Sequence, residues 1–219
     1  MPQRSVLLLA LVLATVTLVV QARVILGGKT FDDVTYHTQV APPRYAAATQ
    51  VQEGSLPTWW DGSGLGVPLL GEPSHGAAYP LGWVAGTPRA LELVLLLHLF
   101  IAALGTALWS RKNGASDVAA LVCGVLVATS GVAASALLRG ALPALAWLPW
   151  IAWARTSDRY ALLGAFLALV GLAGDLALLI DAVALALLVR PATPDVASAR
   201  ADVASARADV AGGRADVAG

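Results

Sequence analysis

Residues 90–109 and 118–138 are two runs of about twenty apolar residues, and no other feature restricts the fold of this chain as strongly. A backbone in hydrocarbon finds no water for its N–H and C=O groups, so such a run must satisfy itself as helix. At 1.5 Å per residue, about twenty residues match a hydrocarbon core of roughly 30 Å. The composition agrees: 58% of the 219 residues are hydrophobic and 13% charged, with the apolar residues in blocks and not in amphipathic stripes. The expected class is therefore an all-α integral membrane protein.

Further runs fix the number of crossings less sharply. The apolar stretch 6–20 follows a short N-terminus carrying Arg4. Val20-Gln21-Ala22 offers a signal-peptidase-like site, but the later runs favour a retained first transmembrane helix, about 5–22. The second and third helices are expected at 90–110 and 117–138. Residues 141–154 fall short of a full crossing, although Trp147, Trp150 and Trp153 suit a membrane interface. Residues 160–189 are too long for one untilted helix, and Gly174-Asp175 divides them into halves fit for a hairpin of two short spans. The expectation is five or six transmembrane helices, six favoured, in a membrane domain over 1–190.

Charge in the short loops gives the orientation. Arg4, Arg111 with Lys112, Arg155 with Arg159, and Arg190 share one side if the segments alternate, against Arg139 alone on the other. That places the N-terminus in the cytoplasm of a plasma (inner) membrane protein and makes residues 23–89 a long extracytoplasmic loop between helices 1 and 2. The 14 basic and 14 acidic residues balance with no basic patch among aromatics, so no nucleic-acid partner is expected; membrane lipid is. Cys123 stands alone and excludes a disulfide scaffold.

The tail 191–219 repeats PDVASAR, ADVASAR, ADVAGGR, ADVAG, a heptad period with one Val per repeat. That is too little apolar surface for a coiled-coil seam, so a low-complexity tail is expected.

Chemistry is concentrated in the outward loop. Residues 54–83, GSLPTWWDGSGLGVPLLGEPSHGAAYPLGW, are too rich in Gly and Pro for helix and too aromatic for a solvated linker, so they are expected to fold on the membrane surface. Nearer the first helix stand Asp32 and Asp33, followed by Tyr36, His37 and Arg44. Carboxylates at a membrane face can take a proton from an attacking hydroxyl or hold a divalent cation, and a neighbouring cation can bind phosphate. From spacing alone a solvated acidic turn is the simpler reading. Asp33 and His37 share a face if the stretch is helical, but two such groups make no metal site. The loop glycines and prolines are most simply turn-formers, and Trp59, Trp60 and Trp83 interface anchors. Glu92, His98, Asp175 and Asp181 lie in or beside apolar runs, where ionisable groups are costly and suggest function; Asp181 is the hardest to place otherwise.

The order of these features, an acidic pair after the first span, APPRYAAATQVQEG, then Pro57 and Trp59, Gly66-Val67-Pro68-Leu69-Leu70 and Tyr79-Pro80, resembles the YfhO-like family of bacterial membrane proteins, of the GT-C type of glycosyltransferases. WLPWIAWA, 147–154, is similar to the family's later Leu-Pro span. The resemblance implies transfer of a sugar from a polyprenyl-phosphate donor to a cell-envelope acceptor on the extracytoplasmic face. It implies a loop carboxylate as base, Asp33 or its neighbour Asp32. Lys29, Arg44 and Arg89 are candidates by charge for the donor phosphate, Asp61 and His75 for the acceptor side, and Trp59, Trp60 and Tyr79 for further substrate contact. Asp61 follows a double Trp where the family has Asn after one, and family members continue through many more spans, which implies a truncated relative. The alternatives are a non-catalytic membrane subunit and an ion-coupled transporter component relaying through Asp181 and His98.

Overall fold

Where side chains are apolar and charges sparse, the backbone pairs with itself, and the chain is helical along most of its length. The computed structural model describes residues 3–27, 30, 31 and 33–189; Lys29, Asp32 and the repeat tail lie outside the described residues. Helix α1 (Gln3–Val20) is followed by the short α2 (Ala22–Ile25), and a π-helical turn, Tyr36–Val40, runs into α3 (Ala41–Gln52). The Gly/Pro/Trp-rich segment forms two-residue strands β1 (Trp59–Trp60) and β2 (Val67–Pro68), then 3-10 turns at Pro73–His75 and Pro80–Gly82. There follow α4 (Pro88–Lys112), α5 (Asp117–Ala128), α6 (Gly131–Leu138), α7 (Leu142–Leu145), α8 (Leu148–Thr156), α9 (Tyr160–Ala173) and α10 (Leu176–Leu188).

Local chemistry sets the helix limits. Thr87 caps α4, its hydroxyl accepting from Ala90 N at 3.2 Å with Pro88 in the first turn, and Arg111 and Lys112 occupy the last turn beside the free carbonyls. Ser116 caps α5 in the same way. At Thr129-Ser130 the helix is interrupted: the Thr129 hydroxyl donates back to Val125 O, and Ser130 recaps α6 by accepting from Ala133 N. Two helices, Pro88–Lys112 and Asp117–Leu138 taken through that interruption, are long and apolar enough to cross a bilayer.

α4 is the central post, packed by α1, α3, α5, α7 and α8. Small residues bring the axes together. A Cβ on Gly124 of α5 would meet Ala103 O and Leu13 Cδ2, each at 2.9 Å, so α1, α4 and α5 converge there. Trp150 of α8 lies over Gly105 and donates to Ile101 O at 2.9 Å. One core joins Leu9, Leu13, Leu91, Leu95 and Leu99; a second, of Tyr79, Ile151, Val170 and Ala182, sits under the α9–α10 pair. The outer faces are apolar too, with Leu7, Leu11, Val118, Leu126, Ile180 and Leu187 exposed.

Polar contacts sort the turns into two ends. Arg111 donates to Ser5 Oγ at 3.1 Å and pairs with Asp117 at 2.9 Å, which gathers the start of α1 and the α4–α5 turn. Arg155 at the end of α8 donates to Ala186 O near the end of α10. The opposite end holds the Arg89 contact to the carbonyls of Val24 and Ile25, the Gly/Pro/Trp-rich loop, the α6–α7 turn at Gly140 and the α9–α10 turn at Gly174. Successive long segments therefore alternate in direction.

Candidate functional site

The turns of the loop-bearing end converge on one cation. Pro42 and Pro43 start α3, and the next residue, Arg44, points inward and is 9% exposed. Its Nη2 donates to Gly140 O at 2.8 Å and to Ser74 O at 3.3 Å, while its Nε is buried without a hydrogen-bond partner. Gly76 and Gly140 press against it with φ of +61° and +74°. A Cβ would lie 3.1 Å from Nη1 at Gly76 and 2.9 Å from Nη2 at Gly140, so glycine serves both the left-handed backbone and the close approach. A third turn closes the ring, where Gly174 backs directly onto the Pro73 carbonyl.

Between these turns opens a cleft of about 400 Å³, lined by Arg44, Arg139, Glu72, Ser74 and Asp175. A separate groove of about 180 Å³ borders it, sharing Glu72, Pro73 and Gly174 and lined also by Leu69, Leu70, Ala77 and Leu172. Two of the cleft's acids have local duties. Glu72 Oε1 accepts from the Ser74 hydroxyl at 2.8 Å, and the Ser74 bonds hold its carboxyl below the usual range. Asp175 Oδ1 accepts from Leu178 N at 3.0 Å as the cap of α10. No carboxylate pairs with Arg44 among the described residues. Burial draws its pKa down to about 10, against the favourable influence of the nearby Tyr36 and Tyr79 hydroxyls. A buried guanidinium held by carbonyls alone, beside a cleft, can accept an anion as a further partner.

Tyr79 lies on the other side of Arg44, the two sharing a small cavity of about 10 Å³. Its hydroxyl donates to His98 Nε2 at 2.6 Å and accepts from Trp147 Nε1 at 2.9 Å, and His98 Nδ1 donates to Val94 O at 2.6 Å. The network is closed, and it fixes the loop to α4 and to the α7–α8 junction. His98 and Asp181 are not brought together: both ring nitrogens of His98 are engaged, and Asp181 is exposed on α10.

The other residues singled out in the sequence are placed as follows. Asp33 Oδ1 accepts from Tyr36 N at 2.7 Å and caps the helical stretch leading to Arg44. His37 donates from Nε2 to Phe31 O at 2.6 Å. Arg89 holds the carbonyls of Val24 and Ile25 and pairs with Glu92 at 3.3 Å. The β1–β2 hairpin pairs Trp59 with Pro68 and Trp60 with Val67. Trp59 donates to Asp61 Oδ1 at 2.7 Å and is half exposed, whereas Trp60 packs on Ala47, Leu69 and Ala77. His75 ends the 3-10 turn beside Ser74, with Nδ1 buried and unpartnered. Lys29 and Asp32 lie outside the described residues. Among the described residues no three His, Cys, Asp or Glu side chains gather as a metal site would need.

Sequence reasoning missed Glu72, Ser74 and Arg139 as companions of Arg44. Gly140 and Gly174 mark turns in the sequence, but nothing local says that those turns meet. Comparison with protein-family models, with curated proteins and with solved structures finds no match for this chain.

Proposed function

We propose that this is a multi-pass membrane protein of five or six spans that transfers a sugar from a polyprenyl-phosphate donor to a cell-envelope acceptor, as a GT-C-type enzyme of YfhO-like character. The alternation of segments supports the multi-pass reading. Arg111, Lys112, Arg155 and Arg159 fall at the end away from the loop, which supports a cytoplasmic N-terminus and an extracytoplasmic cleft.

The observation that carries the functional reading is Arg44: a buried cation with an unpartnered Nε, at a cleft also lined by Arg139, Glu72, Ser74 and Asp175 and bordered by a groove lined by Leu69, Leu70, Ala77 and Leu172. That pairing of surfaces suits the phosphate and the first isoprene units of a lipid carrier. The reaction needs a base to take the acceptor hydroxyl's proton while that oxygen attacks the sugar's anomeric carbon. The bond from that carbon to the phosphate oxygen breaks, and the lipid phosphate leaves with the electron pair. Arg44 and Arg139 would bind the phosphate and balance the charge gathering on it, and a positioned base contributes about 10²–10⁴-fold.

The resemblance assigns the base to Asp33, with Asp32 as its neighbour; Lys29 and Arg89 are further cations at this end, and Trp59, Trp60, Asp61 and His75 candidate acceptor contacts. In proteoliposomes supplied with polyprenyl-phosphate sugar, Asp33→Asn should abolish transfer while insertion and donor binding survive, and Asp32→Asn should cost less. Transfer retained in the double variant would remove both acids from the role and pass it to Glu72 or Asp175, the carboxylates that line the cleft. No transfer by the unaltered chain would favour the non-catalytic subunit.

A further inference from the structure

α10 carries an ionisable side chain, Asp181, in the middle of an apolar, exposed face. Its inward side, through Leu178, Leu179, Ala182 and Leu185, packs into the second core. Its outward side exposes Leu176, Ala177, Ile180, Asp181, Val183 and Leu187. At 1.5 Å per residue Asp181 stands about 8 Å from the start of the helix and about 10 Å from its end, too deep for a short carboxylate side chain to reach either interface. It makes no hydrogen bond or ion pair among the described residues. Ionisable groups within the bilayer pair with one another or face a polar cavity.

Asp181 has small neighbours. Four residues before it is Ala177 and three after it Ala184, so along this face the carboxylate lies between two methyl groups. Small residues let a second helix axis approach closely, and the carboxylate then meets a group on that helix. Among the described residues a second copy of this chain brings no cation to that depth: the basic side chain in the middle of an apolar helix is His98, which is fully buried.

We propose that the outward face of α10 is a docking surface for a separate transmembrane helix carrying a lysine or arginine at the depth of Asp181. The pairing joins the two charges inside the bilayer and makes the chain a subunit of a larger membrane assembly. It rests on the multi-pass reading, because α10 must lie in the bilayer, and it is independent of sugar transfer.

The test uses the full chain with Cys123→Ala and a donor dye on Ser63→Cys, reconstituted with an acceptor-labelled single-span leucine–alanine peptide bearing one central lysine. A peptide with leucine at that position is the control. Energy transfer should report association about tenfold stronger for the lysine peptide. Asp181→Leu should erase the preference, and Asp181→Lys should shift it to a peptide with a central aspartate. Equal association of the two peptides, or a preference that survives Asp181→Leu, would overturn the pairing. Asp181-dependent association between two labelled copies of the chain would assign the face to a second copy and overturn it also. A separate Ile180→Cys variant reports on the premise: labelling by a water-soluble reagent would overturn the membrane placement of α10 and the docking with it, whereas a shielded cysteine without lysine preference would overturn the docking alone.

Discussion

Arg44 Nη2 donates to the Gly140 carbonyl at 2.8 Å, a bond that joins α3 to the α6–α7 turn across 96 residues of sequence. Together with the Ser74 carbonyl it fixes the loop-bearing end around a single guanidinium.

Gly140→Ala should therefore weaken the fold at this point. The new Cβ would stand 2.7 Å from Val40 Cγ1 and 2.9 Å from Arg44 Nη2, on a backbone with φ of +74°. The expected cost is about 1–3 kcal/mol, seen as a midpoint several degrees lower in thermal unfolding. Gly164→Ala in α9, where a Cβ meets nothing within 4 Å, should leave the midpoint unchanged or raise it slightly.

Tyr79 gives a pH-dependent signature. Burial pushes its hydroxyl from 10 to about 12, against the opposing effects of the Trp147 hydrogen bond and the Arg44 charge. The folded chain keeps the proton where the unfolded chain has lost it. The neutral hydroxyl thus contributes stability that is complete below pH 10 and disappears as pH rises through about 12, of order 2–3 kcal/mol in all. Tyr79→Phe should flatten that part of the stability profile and remove one late-titrating tyrosine from the ultraviolet absorbance titration. Loss of a tyrosine titrating near the ordinary value of 10 instead would mean that Tyr79 is open to solvent.

Much of the scaffold was legible because apolar runs and turn residues act locally. The helices Pro88–Lys112 and Asp117–Ala128 begin at Thr87 and Ser116 caps, and the division at Gly174-Asp175 is a helix end, a left-handed glycine followed by an aspartate cap. The site was legible in part. Arg44 stood out as a cation near acids and aromatics, but its partners are backbone carbonyls of residues 74 and 140, and a carbonyl carries no sequence signal. Arg89 looked equally available as a charge, yet its position one turn before Glu92 and over the end of α2 occupies it with structural bonds. Asp33 is half of an adjacent acidic pair in the sequence and a helix cap in the structure, a role that any N-terminal aspartate can take.

The orientation is testable by accessibility. In the Cys123→Ala background, a thiol reagent that cannot cross the membrane should label Ser63→Cys, in the β1–β2 turn, from outside intact cells and should miss Asn113→Cys, between α4 and α5. The reverse pattern would place the cleft in the cytoplasm and remove the extracytoplasmic acceptor from the proposal.

Donor binding at Arg44 is the most direct test of the proposed function. With the protein in nanodiscs, the affinity for a polyprenyl-phosphate sugar should fall at least about tenfold in Arg44→Gln and by a smaller factor in Arg139→Gln, since a charge-assisted bond to phosphate contributes about 1.5–3 kcal/mol. Arg44→Lys should recover part of the loss, because it keeps the charge without the two-pronged geometry. The unphosphorylated polyprenol should bind all of these forms alike. Equal affinity of the folded Arg44→Gln protein for the phosphorylated donor would contradict the assignment of this cleft to a lipid phosphate.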